Sequence, residues 1–196
     1  MIGILALQGG FAAHGKILDQ LGLPYRLVKL ERDLAQLDAL ILPGGETTTM
    51  LKLLELYDLF DPLVRFGASG KPVLGTCAGA ILMSRHVDQG GQRSFGWLPI
   101  SIERNAYGSQ RESFREVQDI PAWDLTEVPA LYIRAPRFSE LPEDVTILSR
   151  LNGDVTGISW RHFTAVTYHP ELMDDTRFHK AWYSRHVAPT ATGVPS

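Results

Sequence analysis

Cys77 is the only cysteine among 196 residues, and it stands in Gly75-Thr76-Cys77-Ala78-Gly79. The apolar stretch Pro72-Val73-Leu74 precedes this string and the helix-like Ala80-Ile81-Leu82-Met83 follows it. Strand, glycine-flanked centre and helix describe a nucleophile elbow, with cysteine where a serine hydrolase places serine. The glycines let the backbone turn sharply and keep neighbouring side chains away from the attacking atom. A helix that starts just after the sulfur turns its free N–H groups and positive dipole end toward it, an arrangement suited to negative sulfur. A lone cysteine is more often an inert buried hydrophobe, so the nucleophile reading stands or falls on its partners.

A thiol nucleophile needs a base, and the base needs an acceptor that orients it. Of the six histidines, His14, His86, His162, His179 and His186 have no distinctive context and read as surface or packing residues. His169 closes the apolar run Phe163–Tyr168 and is followed by Pro170-Glu171. Residues two apart in an extended segment project to one side, which puts Glu171 within reach of the imidazole. A carboxylate there fixes the tautomer and supports the charged ring, as in other hydrolytic triads. An α/β-hydrolase runs nucleophile, acid, histidine, whereas here the histidine precedes the acid, which argues against an esterase.

The rest of the chain must hold these residues together. Ile2–Leu7, Tyr25–Val28, Ala39–Leu42 and Pro72–Gly75 read as strands. Phe11–Leu21, Thr47–Leu56 and Phe60–Phe66 carry helical apolar spacing between them. This alternation predicts an α/β fold with a mainly parallel central sheet flanked by helices. The second half reads as more β-rich: Ile100–Glu103, Phe114–Val117, Ala130–Ile133, Val145–Leu148, Val155–Trp160 and Phe163–Tyr168. Asn152-Gly153 marks a hairpin and Thr176–His186 a closing helix. One domain over 1–187 and a frayed tail over 188–196 are expected. Three glycine turns fall where ligands of parallel sheets bind, beyond the carboxyl ends of strands: Gln8-Gly9-Gly10, Pro43-Gly44-Gly45-Glu46-Thr47 and the Cys77 elbow.

Composition narrows the partners. The apolar share is 44%, the charged share 21% and the net charge −3, which offers no electrostatic case for nucleic acid or an anionic membrane. No apolar run approaches the roughly 18 residues of a membrane span. The N-terminal run lacks a basic leader and reads as a buried strand rather than a signal peptide. A single cysteine suits a reducing cytoplasm. Histidines and carboxylates lack metal-ligand spacing, and no cofactor is expected.

The strings Gly75-Thr-Cys-Ala-Gly79 and His169-Pro-Glu171 resemble the signatures of class I glutamine amidotransferases. With Leu7-Gln8-Gly9, Leu42-Pro-Gly-Gly-Glu-Thr-Thr-Thr-Met50, Glu103-Arg104-Asn105 and Ile133-Arg134-Ala135-Pro136, the chain resembles the glutaminase subunits of pyridoxal 5′-phosphate synthase. The likeness runs from Ile2 to about the closing helix. It implies a single-domain, flavodoxin-like amidotransferase fold and hydrolysis of L-glutamine to glutamate and ammonia by Cys77, His169 and Glu171. It also implies glutamine binding by Gly45, Glu46, Thr47, Arg104, Ile133 and Arg134, and an oxyanion hole from the N–H groups of Gly45 and Ala78. Gln8 is expected near an interface with a synthase subunit, which in the family forms a large ring with the glutaminases outside. Thr47 replaces the serine usual in the family and Gly10 the common alanine. Three other readings remain: another amidotransferase, such as that of histidine biosynthesis, a silent binding protein on the same fold, and a cysteine stress protein with an elbow thiol.

Overall fold

The computed structural model describes residues 1–88, 91–106 and 113–191. In chain order the first half is β1 (Ile2–Leu5), α1 (Phe11–Gln20), β2 (Tyr25–Val28), β3 (Ala39–Leu42), α2 (Thr47–Leu56), α3 (Phe60–Gly67), β4 (Val73–Thr76) and α4 (Ala78–Met83). The second half is β5 (Ser84–Asp88), β6 (Leu98–Glu103), β7 (Ser113–Ile120), β8 (Leu125–Ile133), β9 (Arg137–Glu140), β10 (Thr146–Leu151), β11 (Asp154–Trp160), β12 (Phe163–Val166), α5 (Arg177–Trp182) and α6 (Ala188–Ala191). A π-helical turn over Tyr183–Val187 joins the last two helices.

Seven strands form the central sheet in the order β10-β11-β12-β4-β3-β1-β2. From β12 to β2 every pairing is parallel, and β10 and β11 add an antiparallel edge. The inner parallel strands β1, β3, β4 and β12 are buried along their whole length because both faces are covered, whereas the edge strand β2 is partly exposed. Alternate residues feed opposite cores: Leu40, Leu42, Val73 and Ala165 join one cluster, and Ala39, Ile41, Leu74 and Val166 the other. This is the expected α/β architecture. Two small sheets, β5-β6-β9 and the hairpin β7-β8, lie outside the main one.

Element ends differ from the sequence reading for local reasons. β1 stops at Leu5, where Ala6 N–H makes a last bond to the Val28 carbonyl. β12 stops at Val166 because Tyr168 and His169 turn toward β8, with His169 N–H bonding the Leu131 carbonyl at 2.8 Å. The closing helix widens into the π turn after Trp182. β5 and β9 were not foreseen: Ser84-Arg85-His86-Val87-Asp88 and Arg137-Phe138-Ser139-Glu140 carry too few apolar residues to read as strands. The Asn152-Gly153 hairpin is present, with φ of +50° and +93° as a primed turn requires. Of the expected tail, 188–191 are helical and 192–196 lie outside the described residues. Among the described residues, no helix is long and apolar enough to cross a membrane.

Candidate active site

β4 delivers Cys77 to the carboxyl edge of the sheet in a conformation non-glycine residues avoid, φ +46° and ψ −102°. Such backbone costs on the order of 1–3 kcal/mol and persists only when its surroundings enforce it. Here the Cys77 N–H bonds the Val166 carbonyl at 2.8 Å, and its own carbonyl accepts from Ile81 N–H at 3.2 Å. Gly79 completes the elbow, since a Cβ there would collide with the Leu42 carbonyl. The thiol is buried, with Sγ 3.9 Å from the Ile133 carbonyl oxygen.

His169 Nδ1 lies 2.7 Å from Glu171 Oε1, and both residues are buried. The route to this contact differs from the extended alternation read in the sequence. Pro170 opens a short 3-10 turn over Pro170–Leu172, and that turn folds the carboxylate against the ring. Burial alone would lower the His169 pKa. The adjoining Cys77 side chain and the Glu171 carboxylate outweigh it and hold the value up at about 10. Burial likewise opposes charge on Glu171, yet His14 and His169 keep its pKa below the ordinary range. Because the folded-state value of His169 is raised, its stabilising effect is complete below about 6.5 and is lost as pH passes about 10. The denaturant midpoint of the wild type should therefore exceed that of His169→Gln by a margin that shrinks across this interval. A margin that grew with pH would contradict the assignment.

The loop after β3 closes over the thiol. Gly44 must be glycine because a Cβ would strike the His169 ring. Its N–H donates to Thr76 Oγ1 at 3.0 Å, and its carbonyl accepts from Gly10 N–H at 2.9 Å. Gln8 reaches across from the first turn, and its Oε1 accepts from Glu46 N–H at 2.9 Å. Glu46 caps α2, accepting from Thr49 N–H at 2.8 Å, and its other oxygen faces Arg104 at 3.5 Å. Thr47, the departure from serine, donates its hydroxyl to Gln92 Oε1 at 3.2 Å, where Arg104 also donates at 2.8 Å. Gly10, the other departure, sits close against the triad carboxylate, and an alanine methyl there would crowd Glu171 Oε1 at 3.0 Å. Among the described residues, no protein acceptor takes the N–H of Gly45 or Ala78.

These parts border one cleft of about 560 Å³. Of the residues expected from sequence, Gly45, Glu46, Thr47, Cys77, Arg104, Ile133, Arg134 and His169 line it. Glu171 stands behind His169, Ala78 follows the thiol at the start of α4, and Gln8 braces the loop from outside. Arg134 turns into the cleft through a positive φ of +43° at the end of β8. Sequence reading missed Gln92, Ser113, Ile81 and Leu172, whose places depend on the tertiary fold. It also set His14 and His179 aside as surface or packing residues. Both are fully buried, and His14 Nε2 lies 3.6 Å from Glu171 Oε2. Nothing in their local sequence signals this. Among the described residues, no group of His, Cys, Asp and Glu could hold a metal ion.

Comparison with known proteins agrees with this geometry. The model of the SNO glutamine amidotransferase family matches residues 4–188. The chain is 45% identical over 189 residues to pyridoxal 5′-phosphate synthase subunit PdxT of Solibacter usitatus (strain Ellin6076), covering 94% of this chain and 98% of the relative. It is 41% identical to the protein of the same name from Bifidobacterium longum (strain NCC 2705), covering 94% and 100%. A crystal structure of a glutamine amidotransferase superposes with a TM-score of 0.87 at 36% identity, covering 93% of this chain and 97% of the other. The structure of PurLQS from Thermotoga maritima shares the fold, with a TM-score of 0.68 at 15% identity over 93% of this chain and 96% of the other. An elbow cysteine, a histidine–carboxylate pair and a glycine loop on one sheet edge thus coincide with a match over nearly the whole chain, and the chain belongs to the SNO glutamine amidotransferase family.

Proposed function

We propose that this chain is the glutaminase subunit of pyridoxal 5′-phosphate synthase, hydrolysing L-glutamine and handing the ammonia to a synthase subunit. The observation that carries the reading is the buried His169–Glu171 contact of 2.7 Å beside the strained Cys77, at the foot of a cleft walled by the glycine loop. Cys77 Sγ attacks the side-chain amide carbon of glutamine, and its proton resides on His169. The C–N bond breaks as the nitrogen takes that proton and leaves as ammonia, giving a thioester. Water then loses a proton to His169 and attacks the same carbon, and the C–S bond breaks to release glutamate and restore the thiol. Glu171 holds the ring with Nε2 toward the sulfur and supports its positive charge.

The N–H groups of Gly45 and Ala78 serve as the oxyanion donors, a contribution on the order of 3–4 kcal/mol per well-aimed donor. The guanidinium groups of Arg104 and Arg134 line the cleft and suit the α-carboxylate of glutamine. Glu46, Thr47 and Ile133 shape the amino-acid end of the site. Gln8, bonded to Glu46 N–H, links the first turn to the substrate loop, so a synthase docked near that turn can adjust the loop. The family's large ring and a cytoplasmic setting complete the reading.

Glutamate formation from glutamine, measured without and with the synthase subunit, tests it. Slow turnover that rises when the synthase is added is expected. Equal turnover in both cases rejects activation by a partner, and none in either rejects the glutaminase.

A further inference from the structure

Glu171 has two oxygens, and the catalytic reading uses one. Oε1 meets His169, while Oε2 is buried and makes no hydrogen bond of ordinary length. His14 Nε2 stands 3.6 Å from this oxygen and 3.3 Å from Thr76 Oγ1. On its other side, His14 Nδ1 sits 2.8 Å from His179 Nε2. Burial lowers the pKa of both rings, that of His179 to about 3, so the two are neutral and one proton lies between them.

Where that proton belongs follows from the neighbours. If His14 Nδ1 held it, the bare Nε2 of His14 would face the carboxylate. His179 would then carry its own proton on Nδ1, where no acceptor exists among the described residues. If His179 Nε2 holds it and donates to His14 Nδ1, the proton of His14 lies on Nε2 and points at Thr76 Oγ1 and Glu171 Oε2. His179 Nδ1 is then an unused acceptor, which costs less than a buried orphan donor. The second arrangement is the stable one. Thr76 Oγ1 also accepts the Gly44 N–H, so the same imidazole reaches the substrate loop.

We propose that His14, set by His179 in the tautomer protonated on Nε2, is a positioning residue that holds the second oxygen of Glu171 and, through Thr76, the Gly44 end of the loop over Cys77. This deepens the glutaminase reading and rests on it. The titratable groups around Glu171 are His169 after β12, His14 on α1 and His179 on α5, with Cys77 facing His169. Without the His14 ring against Oε2, the ionised Glu171 carboxylate is free to turn away from His169 Nδ1 and supports the imidazolium less well. The thiolate–imidazolium pair then forms only at higher pH.

Because Cys77 is the sole cysteine, the pH dependence of its alkylation by iodoacetamide reports this pair without any need for glutamine. His14→Phe should raise the midpoint by on the order of one pH unit, and His14→Gln, which restores a donor, should recover most of the shift. His179→Phe should move it the same way by less, and it decides the matter if His14→Phe does not fold. An unchanged midpoint with only a lower melting temperature, or a Gln variant no better than Phe, overturns the proposal. A wild type that alkylates as expected but releases no glutamate would reject the glutaminase reading alone.

Discussion

Cys77→Ala should lower glutamate release by on the order of 10⁴-fold or more, the scale seen when a covalent nucleophile is removed. The fold should survive, because alanine fills the same buried elbow and the backbone bonds to Val166 and Ile81 do not involve the side chain. Glutamine should still bind, since the loop, Arg104 and Arg134 are untouched. Pyridoxal 5′-phosphate synthesis by the partner should continue when ammonia is supplied directly. Cofactor formation from ammonium, with none from glutamine, would locate the defect at the sulfur. Residual glutamate release within tenfold of wild type would mean that Cys77 is not the nucleophile.

Glu171→Gln is the second large effect expected. The amide matches the carboxylate in shape but removes its charge, and it can turn an N–H toward His169 Nδ1, forcing the wrong tautomer. A loss in kcat of about 10²–10⁴-fold follows, comparable to the equivalent change in a serine triad. KM should change little, because Glu171 stands behind His169 and does not line the cleft. Steady-state kinetics separate the two terms. A raised KM with unchanged kcat would place Glu171 among the substrate contacts.

Local strings made the frame of this site legible. The elbow around Cys77, the glycine loop after β3 and His169-Pro170-Glu171 each announce themselves within a few residues, because sharp turns and strand ends need particular amino acids. Fully buried strands such as Ala39–Leu42 are equally plain, being apolar throughout. What escaped reading depends on residues far apart in sequence. Gln92 matters because α2 and the residue after β6 converge on its carbonyl oxygen, from Thr47 and Arg104. His14 and His179 are separated by 165 positions and meet only because α1 and α5 pack beside the Glu171 turn. The two short strands β5 and β9 are polar enough to pass for loops. Even the triad's geometry was reached by a different path, a 3-10 turn where alternation along a strand was expected.

The most direct measurement is an acid quench during turnover of the wild-type chain with its synthase partner and glutamine carrying labelled carbon, followed by peptide mapping. Label on the Cys77 peptide, lost on treatment with hydroxylamine as a thioester should be and absent from Cys77→Ala, is the predicted result. Steady glutamate release with no label on that peptide, even when quenched before the first turnover is complete, would contradict the account.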